Sequence, residues 1–248
     1  MKNLKILILN FFDFFYKLKL LKFLKKIISK DLDLILDVGA HKGESIDFFL
    51  SNFNVNKIIS FEASSENFKN LIKKEAKYKK KFSNSIIQLE NIALGSSTGK
   101  KKLKQFEESS SSTMSKINED SKYFKKKFRF VNLFKKKENF YNETLVNVDT
   151  LDNYIEIKRY NLIDLVKIDT EGSEFEILKG AINNLKNIKL ILFEHHYDDM
   201  IIKDYNFTQI NRLLEQNNFM RIHKAKMPFR KTFEYVYMNK FFKVNFKF

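Results

Sequence analysis

The chain of 248 residues has no cysteine, no tryptophan and one proline, Pro228. Without cysteine it forms neither a disulfide framework nor a thiolate metal site, which fits a reducing compartment. Arginine is also scarce, supplying five of the 46 cationic residues. The formal charge of +16 suggests nucleic acid. Phosphate and guanine, however, are read mainly by arginine forks. An excess of lysine, asparagine, isoleucine and phenylalanine reads instead as the bias of an AT-rich genome. With Pro228 as its one proline the chain has no Asn/Asp-Pro-Pro-Tyr motif, which argues against modification of base amino groups of the type that uses it. No small-residue cleavage site follows the first hydrophobic stretch, which argues against a cleaved secretory signal.

What is present divides at about residue 32. Residues 1–32 form a basic amphipathic helical segment, and 33–248 a single catalytic-sized domain. Leu20, Phe23, Leu24, Ile27 and Ile28 share one helical face, and Lys19, Lys22, Lys25 and Lys26 lie largely opposite. The segment is too short and broken for a membrane span. Two uses remain open: peripheral contact of residues 1–30 with an anionic membrane, or packing on the protein itself. The expected location is the cytoplasm, with a peripheral place at the inner face of a membrane as the alternative.

From residue 34 strands and helices alternate. Strands are expected at 34–38, 57–61, 86–90, 162–169 and 187–196, with helices at 44–53, 65–80, 173–185 and 207–217. Two further strands, 219–225 and 233–239, suit an antiparallel pair. The order predicts an α/β fold with a mostly parallel sheet of seven strands and helices on both faces. Residues 95–148 interrupt it as a lid-like insertion, with short strands near 100–106 and 143–148. Ser112 and Thr113 are candidates to touch a ligand, whereas the preceding serines read as linker.

The chemistry gathers at strand ends. LILDVGAHKGES runs from a buried strand through Asp37, Gly39, Ala40, His41 and Gly43 into a helix. Such a turn offers free backbone N–H groups and a positive helix end to a ligand. Glu62 closes the next strand, where an acid can accept the ribose hydroxyls of an adenosine cofactor. The dinucleotide fingerprint G-x-G-x-x-G is missing because His41 replaces its middle glycine. That disfavours NAD and suits S-adenosylmethionine, which has no phosphate. Asp169, Glu171 and Glu174 cluster at a later strand end, and Glu194, His195 and His196 at the one after. Carboxylates complement a sulfonium, and a carboxylate or imidazole can take the proton of an acceptor hydroxyl. Strand alternation lets only one of the two imidazoles face the cleft; His195 or His196 could be the base, with His195 taken as the candidate and the choice left open. The same set could hold a divalent metal. Acidic residues at a helix start also serve the helix dipole alone.

DVGAHKGES, FEA, NIALG, VDTLDNY, LVKIDTEGSEFEILKGA and LFEHH, in this order over residues 34–196, resemble the FkbM-type methyltransferase family. The resemblance implies the class I methyltransferase fold, S-adenosylmethionine as donor, and O-methylation of a sugar, glycan or similar small molecule. It implies a donor loop of Asp37, Gly39, Ala40 and Gly43, with Glu62 on the ribose. It puts Asn91 and Ala93 near the adenine and Asp169 and Glu171 near the methyl group. Many relatives carry asparagine where this chain has His41. No specific nucleic-acid partner is expected. Two other readings compete: a non-catalytic polyanion-binding protein, and an NAD-dependent oxidoreductase on a similar fold.

Overall fold

The computed structural model describes residues 2–28, 31–106, 112–125 and 140–245. The serines 109–111 and most of the lysine-rich stretch 125–137, read above as the body of a lid, lie outside them.

Seven strands form the central sheet: β1 (Asp31–Val38), β2 (Asn54–Phe61), β3 (Ile86–Glu90), β9 (Ile163–Ile168), β10 (Ile188–His196), β12 (Phe219–Lys226) and β13 (Thr232–Asn239). Their order is β12-β13-β10-β9-β1-β2-β3. The five from β10 to β3 are parallel; β13 runs antiparallel to both neighbours. Its start therefore lies at the same edge as the carboxyl ends of the others. Both faces are covered, so β1 is buried through its last five residues.

One face is covered by α1 (Lys2–Ile27), α2 (Glu44–Asn52) and α3 (Ser65–Lys81). There Leu24, Ile46, Phe49 and Leu71 pack with Ile35 and Ile58 of the sheet. The other face carries α4 (Leu151–Lys158), α5 (Glu174–Lys179) and α6 (Phe207–Gln216). Ile155, Ile177, Ile210 and Leu214 meet Leu36, Ile59 and Phe193 there. Burial of such side chains contributes about 1.5–3 kcal/mol each.

The amphipathic stripe of α1 is spent on this core: Leu20, Leu24, Ile27 and Ile28 are buried beside Val236 and Met238. Among the described side chains of α1, Phe12 and Phe15 are the large apolar ones left exposed. Among the described residues, no helix is long and apolar enough to cross a membrane.

Two elements differ from expectation. The helix expected over 173–185 stops at Lys179. Gly180 turns the chain there, and a Cβ at Gly180 would lie 2.0 Å from the carbonyl oxygen of Gly95. Asp152 then accepts from the backbone N–H groups of Asn183 and Asn184, at 3.0 Å each, so the chain forms a capped turn. α4 was not anticipated, although Thr150 caps it by accepting from the Asn153 N–H. Tyr154 and Ile155 follow Leu151 at helical spacing on its buried side.

The insertion builds a second sheet, β4-β8-β5-β6, from β4 (Ala93–Leu94), β5 (Gly99–Phe106), β6 (Ser112–Thr113) and β8 (Tyr141–Asp149). β7 (Lys116–Ile117) pairs with β11 (Ile201–Ile202). The expected strands at 100–106 and 143–148 correspond to β5 and β8.

Candidate active site

The β1–α2 turn needs its glycines for different reasons. Gly39 has φ +88°, and a Cβ there would fall 1.9 Å from the carbonyl oxygen of Asp169. Two strand ends approach so closely that only hydrogen fits between them. Gly43 (φ +85°) faces the Tyr78 hydroxyl, on the far side from the cleft. His41 itself adopts φ +48°, and its Nδ1 lies 3.4 Å from Glu44.

Glu62 fastens that turn to the second strand. The His41 N–H donates to one carboxylate oxygen (2.7 Å) and the Ser64 N–H to the other (2.8 Å). Burial raises its pKa, and these two donors oppose the shift. The Asn67 side chain adds a third hydrogen bond, and a carboxylate with about four acceptor sites still has room for a ligand hydroxyl.

Asp37 lies beneath the turn, fully buried. Its register neighbours are Ser60 and Lys167 on the flanking strands. Ser60 donates to it at 3.0 Å, and the Lys167 ammonium is 3.7 Å away. Burial pushes the Asp37 pKa up and Lys167 pulls it back. Lys167 also reaches Asp169 at 3.3 Å. Burial works against its charge, but Asp169 and Asp37 hold it firmly protonated.

A cavity of about 470 Å³ lies at the carboxyl edge of the sheet, lined by Lys167 among these groups. Of the expected donor-site residues, Gly39, Ala40, His41, Glu62 and Ala93 line it. Asp37, Gly43 and Asn91 do not. Asn91 instead donates to the Glu62 carbonyl at 2.8 Å, holding the end of β2. Asp169 and Glu171 line the cavity as expected. Lys167, Glu194 and Glu234 also line it. Glu194 and Glu234 are register partners on β10 and β13. Burial, with Asp169 and Glu234 nearby, raises the Glu194 pKa well above the usual carboxylate range. Glu234 is pushed up to about 8 by burial, Lys167 opposing and Asp169 adding to the shift.

His195 is a correction to the sequence reading. It points away from the cavity into an aromatic cluster with Tyr197, Tyr205 and Phe207. Burial, with Lys203 and His196 nearby, lowers its pKa to about 3, so it is neutral at ordinary pH. Leu192 and Glu194 face the cavity, so alternation turns residue 195 to the opposite face. His196 approaches Glu171 at 3.4 Å and Asp198 at 3.7 Å. Burial opposes its charge, but Asp198, Glu171 and Glu174 raise its pKa to about 9. It is an imidazolium that braces the Glu171 turn. Glu174, 1 % exposed, accepts from the Gly172 N–H at 2.8 Å and from the Tyr205 hydroxyl, so it serves the same turn.

The described part of the insertion docks on that turn. Thr113 donates to the Glu171 carbonyl at 2.7 Å and Ser115 to the Gly172 carbonyl at 3.0 Å. Ser112 and Thr113 both line the cavity. Among the described residues, no three His, Asp or Glu side chains group as a metal site.

A glycine turn after the first strand, an acid closing the second and a seven-stranded sheet with antiparallel β13 inserted between β10 and β12 fit the class I Rossmann-like methyltransferase fold. The FkbM methyltransferase domain model matches residues 37–220, and the chain belongs to that family. It is similar to the crystal structure of methyltransferase FkbM from Methylobacillus flagellatus KT, at 16 % identity and a TM-score of 0.53. That match covers 85 % of this chain and 44 % of the other, so the chain spans less than half of that protein's length. M. capricolum TrmK in complex with S-adenosyl-homocysteine is a more distant likeness, at 12 % identity and a TM-score of 0.44, covering 89 % of this chain and 67 % of that one. No curated protein sequence matches the chain.

Proposed function

We propose that this methyltransferase uses S-adenosylmethionine to methylate a hydroxyl of a sugar, glycan or similar small molecule. The observation that carries the proposal is the order of groups along one sheet edge. Glu62, Gly39, Asp169, Glu194 and Glu234 follow the strand order β2-β1-β9-β10-β13 around one cavity. Its volume, about 470 Å³, falls in the range of small-molecule sites.

The residues present fit the donor. Glu62 would take a ribose hydroxyl with the acceptor capacity that His41, Ser64 and Asn67 leave. Ile92 and Ala93 offer an apolar surface for a base, and Gly39 and Ala40 offer backbone without bulk. The Nε2 of His41 is buried without a hydrogen-bond partner and supplies one more polar contact. The bound donor supplies an electrophilic methyl group on a cationic sulfur. Asp169 complements that positive charge, with Lys167 3.3 Å away. Asp169, at the centre of the edge, is the group placed to accept the proton of an acceptor hydroxyl. The missing phosphate-cradling glycine at residue 41 separates this reading from an NAD enzyme.

Calorimetric titration tests it. S-adenosylhomocysteine is expected to bind with micromolar affinity and NADH not at all. Glu62→Ala should weaken the former by about tenfold or more, the value of one or two hydrogen bonds to a charged group. Equal affinity in the variant would remove Glu62 from the site. NADH binding in place of S-adenosylhomocysteine would overturn the donor assignment.

A further inference from the structure

Helix α1 has two faces with different surroundings. Tyr16, Leu20, Leu24 and Ile27 turn inward and are buried. Phe12, Phe15, Lys19, Lys22 and Lys26 recur at steps of three and four residues, so they share a second face, and all five are exposed. No acid interrupts that face; Asp13 lies off it and pairs with Arg230 at 2.9 Å. The core accounts for the first face and not for the second, where Phe12 is 41 % and Phe15 46 % exposed.

The β12–β13 hairpin adds a third phenylalanine. Phe229, at its tip, is 70 % exposed and meets the Phe12 ring edge to face at 5.0 Å. Its backbone is left-handed, with φ +58°. Glycine or asparagine fills such a hairpin position at least cost, and a bulky residue there is an outlier. The fold gains little buried area from this ring in exchange for the strain, and strained residues of this kind cluster where ligands are held. Lys226, Arg230 and Lys231 flank Phe229 and are exposed.

The three rings stand at the rim of the cavity. Each adjoins a residue of its wall in the chain: Phe12 precedes Asp13, Phe15 precedes Tyr16, and Phe229 precedes Arg230. We propose that Phe12, Phe15 and Phe229, with the lysines beside them, form a docking surface for an anionic lipid bilayer. Docking there sets the mouth of the cavity against the lipid headgroups. The inference stands apart from the donor assignment, because neither the patch nor its test involves a methyl donor.

The chemistry of the patch selects this partner. In a bilayer interface acyl chains lie just beneath anionic headgroups, so rings enter the apolar layer while ammonium groups stay among the phosphates. The lysine stems cover apolar surface and let their charges reach the headgroups. A second copy of the chain would bring the same cations face to face, in a protein of net charge +16, with no acid on this face of α1 to pair with them. A nucleic acid would satisfy the lysines and not the exposed rings. Its phosphates are read best by arginine forks, and Arg230 is already engaged by Asp13.

The chain has no tryptophan, so Phe229→Trp places a single emission reporter in the patch. With the full chain, that emission should shift to the blue on vesicles of phosphatidylcholine containing phosphatidylglycerol, and brominated acyl chains should quench it. Vesicles of phosphatidylcholine alone should bind about tenfold more weakly, or less. In sedimentation with the mixed vesicles, Phe229→Gly should cut binding about fivefold. Its melting temperature should hold or rise, because glycine relieves the left-handed backbone. Lys19→Glu combined with Lys22→Glu should cut binding about tenfold or more. Unshifted emission, full binding by either variant, or equal binding to phosphatidylcholine alone would overturn the proposal. An oligodeoxythymidylate that changes the emission more than the vesicles do would overturn it in favour of nucleic acid. Self-association of the full chain that Phe229→Gly abolishes would overturn it in favour of a second copy.

Discussion

Replacing Glu234 by glutamine should make the protein more stable at alkaline pH. The carboxyl is held in the fold with a pKa of about 8, against about 4.5 in the unfolded chain. Below pH 4.5 both states carry the proton and the group contributes no slope. Between pH 4.5 and 8 the native state keeps a proton that the unfolded chain releases. Stability therefore falls as pH rises, by about 1.4 kcal/mol per unit. Above pH 8 both states are ionised and the loss is complete, on the order of 4–5 kcal/mol. The groups facing Glu234 are Glu194 on β10, Asp169 and Lys167 on β9, and Tyr16 and Lys17 on α1. Glutamine keeps the shape and removes the titration. Urea unfolding followed by circular dichroism at pH 6 and pH 9 measures the effect. The stability of the variant relative to wild type should rise by on the order of 3 kcal/mol between the two. A difference that stays constant within about 0.5 kcal/mol, the scatter of ordinary surface substitutions, would refute the buried, proton-retaining carboxyl.

His195→Phe keeps a ring among Tyr197, Tyr205 and Phe207 and removes a base whose pKa is lowered to about 3. Wild-type stability should fall by about 1.4 kcal/mol per unit as pH drops from 6.5 towards 3, because the unfolded chain takes up a proton the fold refuses. The variant should lose this acid limb and keep S-adenosylhomocysteine affinity; loss of that affinity would return His195 to the cleft. Gly39→Ala should lower the melting temperature and abolish S-adenosylhomocysteine binding. The left-handed backbone alone costs about 1–2 kcal/mol, and the new Cβ would collide with the Asp169 carbonyl. A variant that melts and binds like wild type would show that the two strand ends are not in contact.

The sequence by itself determined the parts that are local. Strand and helix periodicities placed the central elements, because burial on alternate or every third and fourth position is written in neighbouring residues. Gly39 and Glu62 were legible for the same reason: a turn and a strand end are short-range features. The two departures in the helices were also local but weaker signals, with Gly180 ending α5 and Thr150 opening α4. The tertiary structure alone decided what depends on strand neighbours. Lys167 matters because β9 lies beside β1, which brings it to Asp37. Glu194 and Glu234 meet because β13 runs antiparallel beside β10. The choice between His195 and His196 was a one-residue question of strand facing, and any register error inverts it. Above all, α1 is amphipathic in a way that suits a membrane or a protein core equally. Only the packing of Leu20, Leu24 and Ile27 against the sheet brought Tyr16 to the cavity wall. Burial of an apolar stripe is non-directional, so the surface it meets is chosen by the whole fold and not by the stripe.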